Sequence, residues 1–203
     1  MIEIDMRLTP ADLEPALDAA VQSAATSVAL LRDRSRPGEG APVYTEAGRY
    51  TSRGWTEWTQ GFQFGIPLLI HEYLRETGGD EAMLGYGREQ TLARMAGHLT
   101  HTGVHDHGFN NVSTYGTLLR LGPSSDYEAH FYRLALKASA AVQASRWTPL
   151  PEGLGFVHSF NGPHSLFSDT IRSMRVLALG HLLGHELLAE QDPDGPLLAA
   201  RFY

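Results

Sequence analysis

The sequence predicts an all-α fold assembled from helical hairpins. Apolar residues recur at helical spacing along most of the chain, and turns containing glycine or proline separate the helical segments. Two stretches, beginning at Gly61-Phe62 and at Gly108-Phe109, share one layout of helix, glycine-marked turn and second helix. Repeated hairpins of this size form solenoids or close into α/α toroids. Strand signals are too sparse for an α/β fold.

The helical periodicity predicts seven helices. The first carries an apolar stripe from Leu13 through Val28, and Thr9 is placed to cap its start. A loop rich in proline and glycine follows, and residues 43–51 are expected to form a short strand or an extended loop. The predicted helices cover about residues 10–32, 58 or 62 to 76, 80–99, 111–120, 127–147, 169–190 and 196–203.

Composition narrows the function classes. The 203 residues suit a single domain, 1–203, with a sizeable core. A formal net charge of −7 argues against nucleic acid and against an anionic membrane surface as partners, because no basic patch is available. The chain has no cysteine, no hydrophobic signal core at its start and no apolar run of membrane-spanning length. These features predict a cytoplasmic protein.

Two aspartates are the candidate catalytic residues. Asp106 lies in the sequence His105-Asp106-His107-Gly108-Phe109, and Asp169 lies just before the predicted helix 169–190. Each precedes a helix, so both are expected at the same end of the helical array. Two carboxylates brought together in this way are typical of acid–base chemistry on a sugar. The alternative is that each aspartate caps its helix, because Asp is a favoured N-cap residue.

Two further segments are candidates for substrate binding. Trp55 and Trp58 lie in a glycine-flanked segment ahead of a helix, where an aromatic face could stack on the apolar side of a sugar ring. The alternative for Trp58 is core packing at the helix entry. Residues 156–164, which include Asn161 and His164, form an irregular polar loop that leads to Asp169, and such loops tend to be functional.

The four histidines His98, His101, His105 and His107 raise the question of a metal site. A glycine and a predicted helix end interrupt the cluster, and no His-Glu-x-x-His pattern occurs. We therefore expect neither a metal nor a cofactor, and we assign His105 to acid–base chemistry or substrate binding.

The motifs together resemble a known family. Trp58-Thr59-x-Gly61-Phe62, then His105-Asp106-x-Gly108-Phe109, then Asp169-Thr170 at the head of a leucine-rich helix resemble the unsaturated glucuronyl hydrolases, glycoside hydrolase family 88. The turn Thr77-Gly78-Gly79-Asp80 is similar to the hairpin turns of that family. The resemblance extends from about Leu13 to Leu188.

The resemblance implies a fold, a reaction and a set of roles. The fold is a partial (α/α)6 toroid of the six-hairpin type, about half of the full barrel. The reaction releases a Δ4,5-unsaturated uronic acid from an oligosaccharide by hydration of the vinyl ether. Asp169 would donate the proton and act as base for water, and Asp106 with His105 would hold ring hydroxyls. The implied substrate-binding residues are Trp58, His105, Phe109, Asn161 and His164.

Two features depart from the family pattern. His107 stands where the family usually has an apolar residue. A full toroid also has about twice the helices predicted here, so the domain is expected to be incomplete at its C-terminus. We then expect a second copy or a missing C-terminal half to close the ring, and little or no hydrolase activity from the isolated chain. The alternatives are another carbohydrate-active α/α-toroid enzyme or a non-catalytic helical-repeat binding module.

Overall fold

The computed structural model describes residues 6–34, 40–54, 57–189 and 198–201, and it is mostly helical. A π-helical segment, Gly108–Gly116, runs directly into helix α5. One-turn 3-10 helices occur at Arg75–Thr77 and Pro151–Gly153. The α-helices are α1 (Pro10–Arg34), α2 (Gln60–Tyr73), α3 (Glu81–Arg94), α4 (Ala96–Leu99), α5 (Thr117–Leu121), α6 (Asp126–Ala144) and α7 (Thr170–Leu182).

The described strands form three antiparallel hairpins. They are β1 (Pro42–Glu46) with β2 (Arg49–Ser52), β3 (Trp147–Pro149) with β4 (Gly155–Val157), and β5 (Glu186–Ala189) with β6 (Leu198–Arg201). The first replaces the strand or extended loop predicted at 43–51. Ala47 and Gly48 both have positive φ values, 49° and 75°, as a two-residue turn with the twist of a hairpin requires.

The predicted helices near the C-terminus are wrong in part. Helix α7 ends at Leu182, and residues 186–189 pair as a strand with residues 198–201, where a further helix was predicted. The reason lies in Gly184, whose φ of 68° is a left-handed conformation that ends a helix. Residues 190, 196, 197, 202 and 203 of these two predictions lie outside the described residues.

The main core lies between α2, the π-helical segment, α6 and α7. Its largest fully buried side chains include Phe64, Leu68, Tyr115, Tyr132 and Leu136. Each such side chain contributes roughly 1.5–3 kcal/mol by leaving water. A smaller cluster of Val28, Ile70 and Met83 packs α1 against α2 and α3.

The two glycines of the repeated Gly-Phe motif lie where helices touch. A Cβ on Gly61 would come within 2.3 Å of the Asn110 Cα, and a Cβ on Gly108 within 2.5 Å of the Ser173 Cα. Only glycine therefore permits these two backbone approaches. The first joins α2 to the π-helical segment, and the second joins that segment to the first turns of α7.

Not every apolar residue of the predicted helices is buried. Val28 is buried on α1, whereas Leu13 and Leu17 are about half exposed. Leu118 and Leu177 are buried, but Leu134 on α6 and Leu182 at the end of α7 are exposed, because these positions face away from the core described above. None of the helices in the described ranges is long and apolar enough to cross a membrane.

Candidate active site

The two predicted catalytic aspartates meet at one histidine. The Nε2 atom of His105 lies 3.1 Å from Oδ1 of Asp169 and 3.6 Å from Oδ1 of Asp106. The His105 side chain is 2% exposed, and the carboxylates approach it from two different segments of the chain. The separation of the carboxyl groups is thus compatible with both reaching one sugar ring.

The helix packing explains this proximity. Asp106 precedes the π-helical segment by two residues, and Asp169 precedes α7 by one. Gly108 touches the backbone of Ser173, so the beginning of the π-helical segment and the beginning of α7 lie side by side. Residues that precede these two helices are consequently brought to one place.

The capping alternative does not describe either aspartate. Asp169 holds the N-cap position of α7, but its backbone is helical and its side chain makes no cap hydrogen bond. The residue at the cap position of the π-helical segment is His107, not Asp106. By contrast, Asp80 is a true N-cap, since its carboxylate accepts a hydrogen bond from the Met83 N–H.

Aromatic rings surround His105. Phe160 stacks on the imidazole with ring centres 6.3 Å apart and planes 14° from parallel. Phe167 lies 6.0 Å from the imidazole and 5.2 Å from Phe160, and Phe109 meets His105 edge-on at 6.5 Å. Phe160 and Phe167 were not among the residues predicted for the site, although both lie in the segment that leads to Asp169.

Trp58 extends this aromatic surface towards α2. Its ring meets Phe62 edge-on at 6.1 Å, and Phe62 stacks on Phe109 at 6.0 Å. Trp58 remains 43% exposed, so it is not a buried plug at the helix entry. The rings of Trp58, Phe62, Phe109, His105 and Phe160 form a continuous row, here called the aromatic wall. Phe109 and His105 are buried within it, at 4% and 2% exposed, and Trp58 and Phe160 are exposed at its ends. Trp55 lies outside the described residues.

Burial dominates the electrostatics of Asp106. Loss of solvent raises the pKa of its carboxyl group, and the charge of His105 opposes this by lowering it. Asp169 raises the pKa of Asp106 further, and Arg146 lowers it. Asp106 is 8% exposed and Asp169 has a side chain that is one-third exposed, so Asp169 is the carboxylate that faces solvent.

Arg146 connects the two loops that carry the site by hydrogen bonds to both of them. Its Nε donates to the carbonyl of His158 at 3.0 Å, its Nη2 to the carbonyl of Ser159 at 2.6 Å, and its Nη1 to the carbonyl of Thr102. The side chain is buried, and burial lowers the pKa of the guanidinium. Sequence reasoning missed this residue, because an arginine that binds only carbonyl groups has no partner motif.

The other histidines of the cluster have separate tasks. His98 Nε2 lies 2.7 Å from Oε1 of Gln60. His107 Nδ1 lies 2.9 Å from Ser139 Oγ, and its Nε2 lies 2.9 Å from the carbonyl of His101. Burial lowers the pKa of His107 to about 4, so the ring is neutral at pH 7. In the described part of the chain, no group of three or more His, Asp or Glu side chains has the arrangement of a metal site.

Asn161 and His164 lie in an exposed loop between β4 and α7. The loop is closed by a hydrogen bond from the Ser159 N–H to the Ser165 carbonyl at 3.0 Å. Gly162 occupies a left-handed conformation, φ 104°, with His164 beside it. Both predicted residues lie within four positions of Phe160 in the sequence. Their role in binding stays a prediction.

Arg172, in the first turn of α7, is a further charged group at the site. Its guanidinium carbon lies 4.5 Å above the centre of the Phe109 ring, and its Nη2 lies 3.8 Å from Oδ2 of Asp169. The other oxygen of Asp169 faces His105. The spacing of three residues on a helix could have predicted the contact with Asp169, but not the contact with Phe109.

Solved structures of one class share this fold. The chain is similar to an unsaturated glucuronyl hydrolase specific for heparin, with 20% identity, a TM-score of 0.65, and coverage of 82% of this chain and 42% of that one. It is also similar to the unsaturated glucuronyl hydrolase of Streptococcus agalactiae, with 22% identity, a TM-score of 0.60, and coverage of 81% and 40%.

A third similar structure is the unsaturated glucuronyl hydrolase of Bacillus sp. GL1, described as responsible for glycosaminoglycan degradation. It has 20% identity, a TM-score of 0.56, and coverage of 81% of this chain and 44% of that one. No protein-family model and no curated protein matches the sequence. The fold is thus part of the helical toroid seen in these hydrolases, and the chain spans less than half the length of the structures it matches.

Proposed function

We propose that this protein is a glycoside hydrolase of the unsaturated glucuronyl type. The observation that carries the proposal is the single imidazole of His105 between the carboxylates of Asp106 and Asp169, at 3.6 Å and 3.1 Å. The similarity of the fold to unsaturated glucuronyl hydrolases supports the same reaction class. The substrate would be an oligosaccharide that ends in a Δ4,5-unsaturated uronic acid.

The proposed reaction is hydration of a vinyl ether. A carboxylic acid gives its proton to C4 of the unsaturated ring, and the oxygen of a water molecule bonds to C5 while the water loses a proton to the carboxylate thus formed. The product is a hemiketal, which opens by breaking the bond between C5 and the ring oxygen. The former ring oxygen stays on C1 as the hydroxyl of a hemiacetal. That hemiacetal collapses by breaking the bond between C1 and the glycosidic oxygen, which leaves an aldehyde at C1 and releases the neighbouring sugar as an alcohol.

The surroundings of the two carboxyl groups suggest different roles. Asp169 faces solvent and can reach both a sugar and a water molecule, so we assign it the proton donation and the return of that proton. Asp106 lies deeper, where burial raises its pKa, and it acts with His105 in holding ring hydroxyls and fixing the local charge. The charge of Asp169 adds to the rise in the pKa of Asp106, because two negative charges at this spacing repel.

The aromatic wall supplies a binding surface for the sugar. Trp58 and Phe160 are exposed at its two ends, and His105 lies between them next to the carboxylates. Stacking of a sugar ring on such faces buries apolar C–H groups without using hydrogen-bond donors. Phe109, which is 4% exposed, is proposed to support this surface from beneath, and Asn161 and His164 are proposed to complete it.

The test uses an unsaturated chondroitin disaccharide as probe. We expect calorimetric titration to show binding by the full chain, and we expect any hydrolysis to appear as loss of absorbance from the Δ4,5 double bond. Asp169→Asn should abolish hydrolysis while retaining binding, and Trp58→Ala should weaken binding about tenfold. Asp126→Asn, at the exposed start of α6, is the matched control and should change neither.

The contradicting results are specific. No binding at millimolar disaccharide, or full hydrolysis by folded Asp169→Asn, would refute the proposal.

We also propose a cytoplasmic location, in agreement with the absence of cysteine.

We further propose that another array of helices closes the ring, supplied by a second copy or by additional polypeptide. Support comes from an apolar groove of about 460 Å³ between α1 and α2, lined in part by Leu17, Val21 and Leu69. Such a groove is a surface on which further helices could pack.

A further inference from the structure

We propose that Arg172 binds the carboxylate of the acidic sugar and thereby determines specificity for charged over neutral saccharides. The inference rests on the proposed function, since it names the group that recognises the substrate at the same site. It assigns a role to a residue that lies outside the pair of acids and the aromatic wall.

The position of Arg172 places a cation at the solvent side of the site. The guanidinium lies over the Phe109 ring at 4.5 Å, and Phe109 is itself part of the aromatic wall. This contact of a cation with an aromatic face holds the head group next to the surface on which the sugar would stack. The side chain is 58% exposed, so an incoming anion can reach it.

The geometry leaves hydrogen-bond donors available. The distance of 3.8 Å from Nη2 to Oδ2 of Asp169 is longer than a hydrogen bond, so Asp169 attracts the guanidinium without taking one of its N–H groups. A guanidinium carries five donors in a planar fork that matches a carboxylate. Two parallel N–H groups can therefore bind a carboxylate while the ring contact is kept.

Charge explains why such a residue is needed. The chain has a net charge of −7 and the site contains two carboxyl groups, so an anionic sugar is repelled unless a placed cation compensates. Arg146 does not serve this purpose, because it is buried and its N–H groups donate to three carbonyls. Arg172 is the exposed arginine that contacts both Asp169 and Phe109.

The experiment compares one ligand in two charge states. The full chain and its Arg172→Gln variant are titrated calorimetrically with unsaturated chondroitin disaccharide and with the methyl ester of its unsaturated uronic acid. We expect Arg172→Gln to weaken binding of the free acid about tenfold or more and to leave binding of the ester unchanged. Arg172→Lys, which keeps the charge but loses the fork, should give an intermediate loss.

The matched control is Arg175→Gln, an exposed arginine one turn further along α7, which should bind both ligands as the wild type does. An equal loss for acid and ester would show that Arg172 acts through Asp169, and no loss for either would show that it does not contact the ligand. Both results overturn the inference while the proposed function stands. Failure of the wild type to bind either ligand overturns both.

Discussion

At the scale of single residues, loss of solvent shifts the pKa values of three buried groups more than their charged neighbours and hydrogen-bond partners do. Asp106, Arg146 and His107 are each almost inaccessible, and each has its pKa moved by loss of solvent in the direction of the neutral form. The site therefore combines groups that are costly to bury with a specific partner for each. Their removal should affect stability in different, predictable directions.

Asp106→Asn should stabilise the folded protein at pH 7 by about 1 kcal/mol. Burial raises the pKa of Asp106 above its unfolded value, so the native state holds the proton more tightly than the unfolded state does. The stability that this proton gives is present at low pH and is lost as the pH rises through the folded pKa. Urea unfolding should show the advantage of the variant at pH 7 and its decrease towards pH 4. A variant less stable than the wild type at pH 7 would mean that His105 and Arg146 outweigh burial.

His107 should make the protein sensitive to acid. Its pKa is lowered to about 4 by burial, below that of an unfolded histidine, so the unfolded state binds the proton first as the pH falls. Stability should therefore decline between about pH 6.5 and 4, by about 3 kcal/mol at most. His107→Gln can keep the contacts with Ser139 and His101, and its unfolding free energy should fall less over that interval. Parallel pH curves for the two proteins would contradict this assignment.

Arg146→Met should destabilise the fold by about 3 kcal/mol or more. The change removes three hydrogen bonds from a charged donor and leaves the carbonyls of Thr102, His158 and Ser159 without it. Urea unfolding measures the effect. Arg133→Met, an exposed position on α6, is the control and should change stability by less than about 0.5 kcal/mol. Equal effects of the two changes would show that the hydrogen bonds of Arg146 do not stabilise the two loops.

At the scale of elements, close helix contacts bring the site together. The π-helical segment and α7 touch at Gly108 and Ser173, and their preceding residues supply Asp106 and Asp169. The segment itself is a π-helix. Such helices are rare overall, and those that occur are often found at functional sites. The distance between Asp106 and Asp169 thus depends on the backbone contact between Gly108 and Ser173.

Gly108→Ala should disturb that contact. The added Cβ would lie 2.5 Å from the Ser173 Cα, so the two helices must separate, at a cost of about 2–3 kcal/mol. The thermal stability of the variant and its affinity for the disaccharide should both be lower than those of the wild type. Gly85→Ala on α3 is the control, because a Cβ there meets nothing within 4 Å. It should stabilise by about 0.5–1 kcal/mol, since alanine loses less backbone freedom than glycine in a helix. A tolerated Gly108→Ala would contradict the role given to this contact.

At the scale of the whole molecule, the described residues leave apolar surface exposed in two places. One is the groove between α1 and α2, and the other is formed by the exposed side chains of Ile171 and Leu182 on α7. Packing such surfaces against further helices would release about 25 cal/mol for each Å² of apolar area. The closing of the ring proposed above would supply that cover.

We therefore expect the isolated chain to associate with itself and to have little hydrolase activity. Light scattering should show a mass that rises with concentration, and Leu17→Glu, in the groove, should reduce it. Leu30→Glu, equally exposed on the same helix but outside the groove lining, is the control and should not. A monomer that consumes unsaturated disaccharide at an enzyme-like rate would contradict the half-ring expectation and would support the proposed function.

The sequence by itself determined the helical class and the positions of the two aspartates. Helical periodicity depends on local spacing, and the segments now seen as α1, α2, α3, α6 and α7 follow from it. The C-terminal strands do not follow from it: residues 198–201 have a helical composition but form a strand, because they pair with residues 186–189, and local spacing does not encode that pairing.

Only the tertiary structure decided what surrounds the aspartates. The distances from His105 to both carboxylates, the stacking of Phe160, the cation of Arg172 over Phe109 and the three carbonyls bound by Arg146 join residues far apart in the chain. No local pattern encodes such contacts, because they depend on how closely whole helices pack. Gly61 and Gly108 lay in the motif from the start, but their reason, a backbone approach that leaves no room for a Cβ, became visible only in the packed fold.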